Sequence, residues 1–137
     1  MPKFVPGRGP LSAEIVVVGE APGRQEEAQG LPFVGPSGKL QDAWIRGAGL
    51  DPALIRYENV YPYLPPGGHI EAVPWEELKQ WQEDLRVRID DLPDVRVVVP
   101  TGNVALSTFI QCHPSQARIT QRRGSIYLWS QASGRQV

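Results

Sequence analysis

Glu14-Ile15-Val16-Val17-Val18-Gly19-Glu20-Ala21-Pro22-Gly23 is the stretch that decides the fold. From Glu14 to Val18 it is short, β-branched and continuously apolar after its first residue, and it stops at a glycine. A strand with one wet face would alternate apolar with polar, so an unbroken run suits a strand buried on both faces. Working outward, Arg56 to Val60 reads as a second short strand and Val95 to Val99 repeats the buried-strand signature. Between them lie helical patterns. Ser37 can cap a helix in which Leu40, Trp44 and Ile45 fall at helical spacing, ending near Gly47 and Gly49. Pro74 suits the first position of another helix, with Glu76 and Glu77 at its positive dipole end and Trp75, Leu78, Leu85 and Ile89 on one stripe.

Thr101-Gly102-Asn103 then turns the chain into a short helix with Ala105, Leu106 and Phe109 facing inward. Strand alternating with helix predicts a parallel sheet, so the fold class is α/β. Pro62 to Pro74 is a long proline- and glycine-rich loop, and Ser125 to Trp129 reads as a strand entering a hairpin at Ser133-Gly134.

With 137 residues the chain has the size of one domain, taken as residues 1–137. Its 41% hydrophobic and 21% charged residues exclude a disordered chain. No apolar run approaches the length of a membrane span and the N-terminus lacks a signal-peptide core, so the cytoplasm is the default compartment. A single cysteine, Cys112, excludes an internal disulfide and any site built from several cysteines of this chain, and is expected to be a small buried thiol. A net charge of −1 gives no general pull toward nucleic acid, so any DNA contact has to be local.

In open α/β sheets ligands bind beyond the carboxyl ends of the strands, which directs attention to Gly19-Glu20-Ala21-Pro22-Gly23-Arg24-Gln25-Glu26-Glu27. Small residues there form a tight turn that brings main-chain N–H groups near a ligand, and Glu20 and Glu26 supply carboxylates that would otherwise be solvated surface. Gly30-Leu31-Pro32-Phe33-Val34-Gly35-Pro36-Ser37-Gly38 follows, and Phe33 between its proline and glycine hinges suits either the core or a flat face for stacking a base. Gly35 to Lys39 hints at a phosphate-binding loop, but Phe33 occupies the first glycine position and Leu40 stands where Ser or Thr is required.

Taken together, Gly19 to Gly23, Gly30 to Gly38 and the helix ending at Gly49-Leu50 resemble the first motif of the family 4-type branch of the uracil-DNA glycosylase superfamily. The resemblance continues through Glu58-Asn59-Val60, through Val97 to Leu106, and through Ile119-Thr120-Gln121-Arg122-Arg123-Gly124. It implies a three-layer α/β/α sandwich with a central, mostly parallel sheet of four strands, and a pocket for a flipped uracil at the strand ends, lined by Gly19 and Ala21. Phe33 matches the stacking aromatic and Asn59 the asparagine that reads the base edge. Glu20 and Glu26 match the motif carboxylates, one of which, Glu20 ahead, would serve a positioned water beneath the sugar. The implied partner is uracil-containing DNA. Arg118, Arg122, Arg123 and Arg135 form a local basic group for phosphates, with Arg122 and Arg123 the chosen contacts. A noncatalytic member that binds uracil-containing or single-stranded DNA is the alternative.

Two departures stand out. The family's second motif, His-Pro-Ser or His-Pro-Ala, comes after the Ile-Thr-x-x-Arg-Gly segment, whereas His113-Pro114-Ser115 precedes Ile119 and reads as loop punctuation. The motif is therefore expected beyond Val137, with the last strand, catalytic loop and helix, leaving an unpaired sheet edge; His69, in the long loop, is expected to be solvent-exposed. Secondly, this branch holds an iron–sulfur cluster on four cysteines, yet Tyr63 stands at one of those positions. The chain is expected to use no cofactor and no metal, its loop ordered by packing of Tyr61, Tyr63 and the prolines.

Overall fold

The computed structural model describes residues 2–129. Three strands, β1 (Ile15–Gly19), β2 (Arg56–Asn59) and β3 (Val97–Pro100), form a parallel sheet in the order β2-β1-β3. Helices α1 (Arg24–Gln29) and α2 (Pro36–Gly47) separate β1 from β2, and α3 (Trp75–Asp90) separates β2 from β3. After β3 come α4 (Asn103–Ile110) and two single-turn helices, α5 (Pro114–Ala117) and α6 (Ile119–Arg122).

Side chains of a strand alternate between faces, and β1 uses both. Val16 and Val18 join Leu78, Leu85 and Ile89 of α3 and Val104 and Ala105 of α4, while Val17 joins Ile55 and Tyr57, with Ile45 of α2 packed against them. These two cores make the three layers. Each buried valine of β1 contributes about 1.5–3 kcal/mol, which is why the central strand anchors the domain.

The outer edge of β2 is covered. Arg8 N–H donates to Tyr57 O at 3.0 Å and Tyr57 N–H to Arg8 O at 2.8 Å, an antiparallel bridge, and Val5 N–H donates to Pro62 O at 2.9 Å. Beneath it the buried carboxylate of Glu58 accepts from Arg56 at 2.8 Å and from Arg88 of α3, tying β2 to that helix.

The sequence reading needs several corrections. Gly35, not Ser37, caps α2, because Pro36 supplies a preset first helical position without an N–H to satisfy. Leu40 and Trp44, though at helical spacing, are exposed, since only Ile45 reaches the Val17 core. Pro74 precedes α3 as its N-cap. β3 is not buried on both faces: Val97 is 47% and Val99 40% exposed, because β3 is the sheet's edge among the described residues. Ser125 to Trp129 forms no strand, having no backbone partner in the sheet. The fourth strand is accordingly not among the described elements; the Ser133-Gly134 turn and Arg135 lie outside the described residues. Cys112 is half-buried rather than buried, following Gln111 at the end of α4.

Candidate active site

Parallel pairing sets Gly19 of β1 beside Asn59 of β2 at the carboxyl end of the sheet. The tip is extended by Val60 N–H to Gly19 O at 3.0 Å and Tyr61 N–H to Glu20 O at 2.9 Å. Thr101 fixes the other side, its N–H and its hydroxyl both donating to Val18 O at 2.8 Å. A Cβ added to Gly19 would lie 2.7 Å from both Phe33 Cζ and Asn59 Oδ1. The strand tip, the phenyl ring and the amide therefore converge on one spot, and only a residue without a side chain lets them do so.

Asn59 is 8% exposed, and its side-chain amide has no hydrogen-bond partner among the described residues. An amide at the strand ends with its donors and acceptor free is equipped to read a polar edge. Its neighbour Glu58 projects to the opposite face into the arginine network, and Arg88 reaches Asn59 O at 3.4 Å, bracing the strand end from below.

Phe33 is half-buried, with its ring centroid 5.3 Å from that of Tyr57. Its ring packs against the Val17 core, and its Cζ borders Gly19 at the tip of β1. Its φ of 59° is a left-handed conformation that costs a bulky residue strain unless the surroundings impose it. The surroundings do. Gly38 allows α2 to pack directly on the Phe33 main chain, where a Cβ would collide. Arg8 Nε donates to Pro32 O at 2.8 Å and Arg8 Nη2 to Phe33 O at 3.2 Å.

The two carboxylates differ sharply. Glu26 accepts from Gly23 N–H at 3.1 Å, Val34 N–H at 3.0 Å and Gly35 N–H at 2.6 Å, so it closes the start of α1 and the start of α2 in one stroke. Glu20 stands exposed at the strand tip, its carboxyl raised above the ordinary carboxylate value first by desolvation and then by the like charge of Glu71. Ala21 packs against the larger core beside it.

The remaining candidates are dispersed. Arg122 is half-buried, its guanidinium donating to Ala117 O at 2.7 Å and to Tyr127 Oη at 3.2 Å, while Arg118 and Arg123 are exposed. His113 Nδ1 accepts from Ser115 N–H at 3.2 Å, a helix-capping role at α5, and its ring lies 4.8 Å from Trp75. His69 is exposed between the turns Pro66–Gly68 and Ile70–Ala72. Sequence reasoning missed Arg8 altogether, because a contact spanning 24 and 25 residues leaves no local pattern. It also missed α1, whose Arg24–Gln29 has no buried residue and is held instead by the Glu26 carboxylate, which accepts from Gly23 N–H.

Residues 6–136 match the family described as the uracil DNA glycosylase superfamily. A type-4 uracil-DNA glycosylase of Archaeoglobus fulgidus is 48% identical over 125 residues, covering 90% of this chain and 61% of that protein. Type-4 uracil-DNA glycosylases of Thermotoga maritima and Sulfurisphaera tokodaii are 34% and 32% identical, each over 91% of this chain and over 62% and 56% of their own length. The chain thus spans about three-fifths of these relatives. Its donors do not fit the four-cysteine cluster that the resemblance implies: the sequence holds one cysteine. Tyr63, at one of those positions, instead packs edge-on with Phe4, Tyr61 and Trp81, and this aromatic cluster orders the loop after β2. No helix among the described residues is long and apolar enough to cross a membrane.

Proposed function

Because the chain belongs to the uracil DNA glycosylase superfamily, we propose that it takes a uracil turned out of DNA and hydrolyses the bond to its deoxyribose, leaving an abasic site. The observation that carries this reading is the convergence of Gly19, Phe33 and Asn59 on one spot at the strand ends. Phe33 stacks on the flipped base. The Asn59 amide donates to uracil O4 and accepts from N3–H, whereas cytosine offers the reverse pattern.

Glu20 faces the sugar. As the C1′–N1 bond breaks, its electron pair leaves with uracil as the N1 anion, and the carboxylate favours the positive charge growing on the sugar. A water then bonds to C1′ and gives its proton to Glu20. Glu26, with three N–H groups on its carboxylate, holds the two loops in place rather than meeting substrate. Arg123 and Arg118, exposed where Arg122 is engaged, are the better phosphate contacts. Uracil-containing DNA as partner and the cytoplasm as compartment belong to the same proposal.

A second reading is binding without hydrolysis, in which the strand-end site meets the base while His113 stays occupied as a helix cap. One assay separates the two: a uracil-containing oligonucleotide is incubated with the chain and treated with alkali to cut abasic sites. Cleavage at uracil, lost in Glu20→Gln, is the expected result. A folded chain in large excess that shifts the oligonucleotide in a native gel but leaves it uncut would reject hydrolysis in favour of binding.

A further inference from the structure

We propose that Arg8 is a positioning residue for base recognition, holding the Phe33 ring in its base-facing orientation from behind. The proposal rests on the reading of Phe33 as the stacking ring and goes beyond it. Three observations meet at Arg8. Its guanidinium forks onto two successive carbonyls, Pro32 O and Phe33 O. Its Cζ lies 4.2 Å from the centroid of the Tyr57 ring, and Tyr57 is the ring against which Phe33 leans. Its main chain is itself pinned to β2 by the bridge to Tyr57, so the fork is aimed by the sheet and not by a flexible tail.

The physical need is clear. A left-handed φ at a bulky residue relaxes unless its surroundings hold it, and relaxation here would swing the ring away from Gly19. Glu26 fixes the residues after Phe33, through Val34 and Gly35 N–H. Arg8 fixes the carbonyls at and before it. Tyr57 is in turn locked, its hydroxyl donating to Asp42 at 2.9 Å and pushed up to about 12 by burial and by that bond, so it stays protonated and seated across the working pH range. A lysine could keep the charge of Arg8 but neither the two-carbonyl fork nor the flat stack on Tyr57.

The test uses the full chain and two single-stranded oligonucleotides of one sequence, one carrying uracil and the other cytosine at the same position. Arg8→Ala and Arg8→Lys are each expected to lose about tenfold in preference for the uracil strand, the scale of one net hydrogen bond. In a Phe33→Ala background, where the ring is gone, Arg8→Ala is expected to change the preference no further. Amide exchange gives a second readout: Val34 and Gly35 should exchange faster in both Arg8 variants while Val16 to Val18 keep their protection. Arg8→Gln carries the same test should the alanine variant fail to fold. Equal weakening on both oligonucleotides would mark Arg8 as a phosphate contact and overturn the proposal, as would losses in Arg8→Ala and Phe33→Ala that multiply. If Phe33→Ala leaves the preference intact, the stacking reading itself falls; if Phe33→Ala abolishes it and the Arg8 variants keep it, only the role of Arg8 falls.

Discussion

On the β2 side of β1, the outer edge carries the Arg8 bridge, the strand rests on Glu58 and Arg88, and the strand tip meets the Phe33 loop. On the β3 side, Val97 and Val99 are open, and no described strand pairs with the outer edge. There a cavity of about 720 Å³, mostly apolar, separates β3 and Phe109 from the stretch around Ile126 and Leu128. Both flanks use the same parallel pairing to β1. The difference lies in what is built on top: the flank that gathers the candidate site is held at several points by polar contacts, and the other by its neighbour strand, the helices of one face and the edge-on packing of Trp129 on Phe109.

The hardest blow to that contrast is Glu26→Ala. It strips the acceptor from three N–H groups, and charge-assisted bonds of this kind justify a loss of about 3 kcal/mol, read as a lower urea midpoint with an unchanged m-value. Near-native stability would mean the loops are held elsewhere. Gly19→Ala comes next, since its Cβ would press on Phe33 and Asn59. Cleavage or selective binding of uracil DNA is expected to fall by about 100-fold, the usual penalty for displacing reacting groups by about an ångström. An unaffected variant would place the base elsewhere.

A finer probe is Glu71→Gln. If Glu20 is the proposed base, it serves only when ionised, so activity is expected to be lost below its raised pKa and to appear as pH climbs through it. Removing the Glu71 charge should move this acid limb to lower pH, and only part of the way, because desolvation is the larger cause. The sign for stability is opposite to that of a salt-bridged carboxylate. With the folded pKa above the unfolded one, the folded state holds more proton between the two values, and ionised Glu20 costs stability at neutral pH. Glu20→Gln should therefore stabilise slightly at neutral pH, measured by thermal melts, and not below the ordinary carboxylate range. Smallest is the paired change Val97→Thr and Val99→Thr on the bare flank: stability should stay within about 0.5 kcal/mol, while concentration-dependent association in sedimentation decreases. A large destabilisation would show that this flank is packed after all.

The same contrast governs what could be read from the sequence. Strand β1 was legible because an unbroken Ile15 to Val18 run needs two covered faces, and it has them. Val97 to Val99 carries the same letters, but a run of valines reads identically at the centre and at the edge of a sheet. Gly19, Phe33 and Asn59, which the structure brings together, were named from motif order alone, and the different surroundings of Glu20 and Glu26 were not legible. They depend on which carboxylate the turn from Gly23 to Gly35 wraps around, which is a property of the folded loop. Arg8 was invisible for the same reason.

The bridge from Arg8 to Tyr57 and the bond from Val5 to Pro62 also order events in time. Residues 5–8 leave the ribosome before residues 57–62, and their partners on β2 do not exist until those residues have been synthesised. The opening segment is thus a latch that shuts only after the second strand has arrived. A bulky fusion placed directly ahead of it would burden the latch before any other part of the sheet.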